Sequence, residues 1–108
     1  MRGFNKVVIL GRIGHQPELK ETTTGQQYLD LSIATNRPVR KGDEWSEIAD
    51  WHSVRLWARD AERCADRLKK GSPIAVEGTL RTSSWVGEDQ QKKSKTWVRA
   101  DRAYFLPA

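Results

Sequence analysis

Asp50-Trp51-His52-Ser53-Val54-Arg55-Leu56-Trp57-Ala58-Arg59 is the stretch on which the reading of this chain turns. Side chains alternate between two faces along an extended strand. One face carries His52, Val54, Leu56 and Ala58, which suit a core. The other carries Trp51, Ser53, Arg55, Trp57 and Arg59. Indoles flanking a guanidinium make a poor water-facing surface unless something flat and anionic lies on it. Single-stranded nucleic acid has that chemistry, because bases stack on indoles and phosphates pair with cations. The competing reading packs this face against a hairpin or a subunit and makes the indoles structural.

Moving outward, Asp60 to Lys70 reads as a helix. Ala61, Cys64, Ala65 and Leu68 form an i, i+3, i+4, i+7 stripe. Asp60 is the expected N-cap and Gly71 the expected C-cap, with Lys69 and Lys70 at the negative end of the dipole. Upstream, Gln27 to Thr35 alternates, with Leu29, Leu31 and Ile33 on one side. Lys6 to Gly14 reads as a strand interrupted by glycines, as a small barrel needs where it bends. Leu19 to Thr23 reads as an edge piece. Asn36 to Ile48 reads as an extended, mobile hairpin or loop, basic on its rising arm (Arg40, Lys41) and acidic on its return. Downstream, Pro73 to Val86 is a strand that places Arg81, Ser83 and Trp85 on one face. Gly87 to Lys95 reads as a flexible turn and Thr96 to Leu106 as the last strand. With the edge piece set aside, three strands, one helix and two strands predict an all-β chain with one helix. That pattern suits the OB-fold, a five-stranded Greek-key barrel.

Length and charge narrow the function. The 108 residues predict one domain, 1–108, without internal repeat or linker. Nineteen Lys and Arg against fourteen Asp and Glu leave a net charge of +5, which suits a polyanionic partner. Cys64 has no cysteine to pair with, and the run Val7 to Leu10 is too short for a leader or a membrane span, so a cytoplasmic protein is expected. Two histidines and one cysteine, far apart, offer no metal spacing. No cofactor is expected, and no nucleophile–base pair or phosphate-cradling loop is present, so no catalytic residue is assigned. The run Asp43, Glu44, Glu47 and Asp50 is the only sequence feature a metal-dependent nuclease would use, and a solvated return arm accounts for it better.

Whole blocks of the chain resemble the bacterial single-stranded DNA-binding protein family. Asn5 to Gly14 with Pro17-Glu18 is similar to the family's opening. Asp50-Trp51-His52 with Val54, Leu56 and Trp57 is similar to its central strand. Leu68-Lys69-Lys70-Gly71-Ser72, Val76 to Thr82 with Trp85, Ala100-Asp101 and Phe105-Leu106 follow in order. The resemblance implies an OB-fold that assembles as a homotetramer and wraps single-stranded DNA in replication, recombination and repair, near the bacterial nucleoid. It implies base stacking on Trp51, Trp57 and Trp85, and cationic contacts from Lys6, Arg59, Lys69, Lys70 and Arg81. It places His52 where the family has a histidine associated with subunit assembly.

From the residues themselves, Arg55, Arg59 and Arg81 are expected to pair with phosphates, with Arg40 and Lys41 as further candidates. There are departures. An aromatic frequent after the second strand is replaced by Arg37-Pro38-Val39, and Trp45, in the same hairpin, is the candidate substitute. Ser53 stands where a basic residue is common, and Trp97, read here as structural, stands where a glutamate is frequent. The family's acidic tail, which recruits replication and repair proteins, does not appear before Ala108. The runner-up reading is an OB-fold accessory protein whose main role is binding a partner in replication restart.

Overall fold

Among the residues described by the computed structural model, 1–107, six strands and one helix follow in the order β1 (Val7–Ile13), β2 (Lys20–Glu21), β3 (Gln27–Lys41), β4 (Glu44–Trp57), α1 (Ala58–Arg67), β5 (Pro73–Val86) and β6 (Lys92–Phe105). Ala108, the last residue of the expected domain, lies outside the described residues. The sheet order is β1-β5-β6-β4-β3-β2, and β1 also pairs with β3. That extra pairing closes five strands into the OB-fold barrel, with the two-residue β2 as an added edge on β3. β4 and β6 run parallel, and every other pairing is antiparallel.

Period-2 alternation fills the barrel. Leu29, Leu31 and Ile33 from β3 meet Val54 and Leu56 from β4, Ile74 and Val76 from β5, and Val98 and Ala100 from β6. Each large aliphatic chain so buried contributes roughly 1.5–3 kcal/mol relative to exposure. α1 covers this core with Ala61 and Cys64, and Leu68 follows just after its end. Closure also needs glycine. A Cβ on Gly11 would strike the Ala34 carbonyl oxygen, and one on Gly78 the Arg99 carbonyl oxygen. Beside Gly78 the register shifts so that Asp101 has no partner on β5, a bulge of the kind that bends a barrel wall.

Several boundaries differ from the sequence reading. α1 starts at Ala58, whose φ of 53° turns the chain sharply out of β4. Its N-cap is Trp57 without a side-chain bond, and Asp60 lies inside the first turn, 3.5 Å from Arg63. At the other end the chain becomes extended at Leu68, so Lys69 and Lys70 lie beyond the helix. Gly71, at φ 90°, serves the following turn, where its N–H donates to the Ile13 carbonyl. The stretch 36–48 is a regular antiparallel ribbon, since β3 and β4 pair without interruption up to Lys41↔Glu44 around Gly42-Asp43. β6 likewise begins at Lys92 instead of Thr96, because backbone pairing with β5 runs on to Val86↔Lys92 despite the polar side chains.

Two measurements check this packing. Gly78→Ala is expected to lower unfolding stability by about 2 kcal/mol or more, because the obstacle is backbone and cannot rotate away, as urea titration would show. Burial pushes the Cys64 thiol up to about 11, so at pH 8 it is a protonated thiol. A disulfide-exchange reagent should therefore label Cys64 only as fast as the protein opens, and labelling should accelerate sharply in denaturant.

Candidate functional site

Residues paired directly across an antiparallel ladder share a face. On the outer side of β3 and β4 this sets Tyr28 against Trp57, Asp30 against Arg55, Ser32 against Ser53, Ala34 against Trp51 and Arg40 against Trp45. On β5 and β6 it sets Thr79 against Arg99, Arg81 against Trp97, Ser83 against Lys95 and Trp85 against Lys93. The parallel pairing Arg55↔Arg99 joins the two halves. All five tryptophans of the chain thus stand on one outer side, interleaved with six cations: Arg40, Arg55, Arg81, Lys93, Lys95 and Arg99.

The rings are not equivalent. Trp51 is 59% and Trp85 48% exposed. Trp51 lies over Gly14, where a Cβ would overlap its six-membered ring. Trp45 is open as well, in the ribbon beyond the barrel, with the Arg40 guanidinium 5.8 Å above it. Trp57 differs from the expected open platform. It is half-buried, its ring is tilted 43° against Tyr28 at 5.6 Å, and its Nε1 is buried without a partner. It sits at the strand-to-helix junction, where the turn at Ala58 folds the chain back toward the barrel.

Arg55 is also not a free cation. Its Nε donates to Asp30 Oδ1 at 2.7 Å and its Nη2 to Oδ2 at 2.9 Å. The bond to Asp30 raises its pKa above the ordinary arginine value despite partial burial. The guanidinium lies 4.4 Å from the Tyr28 ring, 5.6 Å from Trp57 and 5.9 Å from Trp97. Trp97 is tied in turn, its Nε1 donating to Ser83 Oγ at 2.9 Å. Beside this cluster a cleft of about 430 Å³ opens between the two halves of the sheet, walled by Trp85 and Trp97 and lined by Asp30, Arg55 and Lys95. His15 and Gln16 close one end, held because the Ser32 N–H donates to His15 Nε2 at 3.0 Å.

Other expected cations fall elsewhere. Arg59 is the second residue of α1, off the strand on which it was aligned with Trp57, because the helix begins one residue earlier. Lys6 lies at the β1–β5 seam, 3.0 Å from Glu77; the Tyr104 hydroxyl, and then Lys6, bond that carboxyl and hold it below the usual range. Lys69 and Lys70 are exposed in the turn after α1, and Lys41 sits at the ribbon tip. Arg81 keeps its place on the indole face, its Nε 3.3 Å from Thr79 Oγ1. His52 is half-buried, and its Nε2 shares a hydrogen bond with Thr35 Oγ1 at 2.8 Å inside the protomer. Of the acidic run, Asp50 is bonded to Arg37 at 2.8 Å, and among the described residues no three His, Cys, Asp or Glu converge on a point.

Tyr28, Asp30, Trp97, Lys93, Lys95 and Arg99 were not assigned to the site from sequence. The signal for the last four was present: Lys93, Lys95, Trp97 and Arg99 alternate. Reading 87–95 as a turn cut that alternation in two.

The family model described as the single-strand binding protein family matches residues 4–106. The single-stranded DNA-binding protein of Treponema pallidum is 38% identical over 106 residues, covering 98% of this chain and 60% of that protein. That of Xylella fastidiosa is 34% identical over 107 residues, covering 97% and 65%. This chain therefore spans roughly three-fifths of the length of these relatives. Among solved structures, a deletion mutant of the single-stranded DNA binding protein from Thermus aquaticus superposes with a TM-score of 0.83 at 34% identity, covering 98% of this chain and 52% of that one. The Plasmodium falciparum SSB in complex with single-stranded DNA gives a TM-score of 0.83 at 27% identity, covering 99% and 98%.

The seat of Trp51 can be checked by spectroscopy. Gly14→Val is expected to lift the indole off the strand and red-shift tryptophan emission. The same substitution beside Trp51→Phe should leave the emission where it was.

Proposed function

The chain belongs to the single-strand binding protein family, and on that premise we propose that it binds and protects single-stranded DNA without strong regard to sequence. The observation that carries this reading is the placement of all five indoles on one outer side among six cations. Open rings accept bases of any identity, since every base has a π-face, and the cations neutralise the backbone. Trp51 and Trp85 are the principal stacking rings. Trp57 acts from beneath them as a packed support. Arg81, Lys93, Lys95 and Arg99 take phosphates, while Arg55 stays with Asp30.

The role is non-catalytic, in line with relatives named as DNA-binding proteins. Among the described residues no helix is long and apolar enough to cross a membrane, and the bacterial relatives favour a cytoplasmic site of action. Assembly as a homotetramer is part of the proposal. Support comes from the outer side of β1, β5 and β6, where exposed Val8, Leu10 and Tyr104 lie near one another across Leu10↔Ala75↔Tyr104, beside the Lys6–Glu77 pair. Replication and repair proteins would be partners of a longer form carrying an acidic tail.

Titration with oligo-dT at low salt is expected to quench tryptophan fluorescence strongly. With four phosphate contacts, log K should fall with log salt at a slope of about −3. Trp85→Ala should cost about 1–3 kcal/mol of binding at unchanged slope. Arg59→Ala and Lys6→Ala should change little. Absence of quenching at low salt would defeat the proposal, and a partner protein bound equally well by Trp51→Ala, Trp85→Ala double variants would favour the accessory role.

A further inference from the structure

The cleft between the two halves of the sheet differs in chemistry from the open rings around it. Trp85 and Trp97 wall it, and the bond from Trp97 to Ser83 fixes the plane of one ring. Its lining charges nearly cancel, with Lys20, Lys95 and Arg55 set against Glu18 and Asp30. Arg55 cannot offer a free fork to a phosphate, because Nε and Nη2 already donate to Asp30. A phosphate entering fully would meet Glu18 and Asp30 along with Lys20 and Lys95, whereas Arg81, Lys93 and Arg99 stand outside on the same face with no lining carboxylate beside them, and Lys95 reaches both. The neutral, flat part of a nucleotide suits the cleft better than its charged part. At about 430 Å³ the space lies within the range of small-molecule sites, roughly 300–1,000 Å³.

Asp30 supplies the discriminating group. Each carboxylate oxygen accepts one hydrogen bond from Arg55 and keeps a further lone pair. Two hydrogen bonds from Arg55 fix the direction of that carboxylate, and the Asp30 side chain is 48% exposed, so its free lone pairs can be reached. A fixed anionic acceptor beside a stacking wall favours a base edge that presents N–H groups. Cytosine offers an exocyclic amine, the group that Asp and Glu accept from in base recognition. Thymine has a single donor on that edge, N3–H, set between two carbonyl oxygens that the carboxylate repels, whereas the cytosine amine stands at the end of its edge with a carbonyl farther off.

The geometry points to a base-reading subsite: the cleft takes one nucleobase of the bound strand, edge-on to Asp30, and prefers cytosine to thymine. Asp30 is then a specificity-determining residue inside a groove that otherwise tolerates any sequence, and Arg55 positions it. This inference rests on the single-strand-binding reading above.

The test uses the intact chain and three oligomers of about eight nucleotides, within the roughly 4–16 that one OB-fold covers. They are dT, dC, and dC with its amines dimethylated, each titrated against wild type and Asp30→Asn by tryptophan quenching. The affinity ratio dC:dT is the readout, because a general gain or loss of binding cancels in it. Asp30→Asn is expected to shift the ratio about tenfold toward dT, within what one such contact supplies. Dimethylation is expected to weaken dC binding to wild type by a similar factor and to matter little to Asp30→Asn. The dimethylated strand tests the wild-type protein directly, so the outcome does not hang on the variant folding. An unmoved ratio with equal dimethylation losses in both proteins, binding otherwise intact, would overturn the subsite alone. No quenching by any oligomer at low salt would remove the premise, and the subsite with it.

Discussion

A slip of one residue of β4 against β3 would flip every side chain of β4. Val54 and Leu56 would turn to water, and Trp51, Arg55 and Trp57 would turn inward against Leu29, Leu31 and Ile33. The register that prevents this runs unbroken from Tyr28↔Trp57 to Lys41↔Glu44. The buried aliphatic chains enforce it, because each one exposed would forfeit roughly 1.5–3 kcal/mol. Core and indole face are therefore set by the same ladder. Neither can shift without the other, and the indole side inherits its rigidity from leucines that never touch a ligand.

That rigidity resolves a conflict on the outer face. Exposed indoles are costly in water, yet a stacking surface must stay open. Two rings are held at half exposure: Trp51 lies on a glycine that leaves room for it, and Trp85 lies across from Lys93. Two more are drawn into a cluster around one guanidinium, with Tyr28, Trp57 and Trp97 about 4 to 6 Å from Arg55. Asp30 neutralises that guanidinium, so the centre of the face is nearly uncharged and the free cations sit toward β5 and β6. Charge and aromatic area are thus separated within one surface.

The strand-to-helix junction shows how a small shift in backbone changes which side chains share a face. Ala58 adopts a left-handed φ that non-glycine residues reach only at about 1–2 kcal/mol, and the chain leaves β4 there. As a result Trp57 is the last strand residue and Arg59 belongs to the helix. An alternation extended two residues further aligns Arg59 with the indoles; the turn at Ala58 removes it from them.

The amino-acid sequence by itself determined the strand pattern, the inward set Leu29, Leu31, Ile33, Val54 and Leu56, the covering helix, and the pairing of Trp51 and Trp85 with a basic surface. Those features are local: alternation and helical periodicity follow from the backbone geometry of consecutive residues, and the polar stretch 87–95 misled only because hairpin pairing, not side-chain polarity, extends β5 and β6. Only the tertiary structure decided that Asp30 binds Arg55, that Trp97 joins the site across from Arg81, and that Lys6 faces Glu77 instead of the indoles. Asp30 and Arg55 are 25 residues apart in the chain and become neighbours only through the β3–β4 register. Which charge meets which partner depends on how strands are paired across the barrel, and no local pattern carries that information.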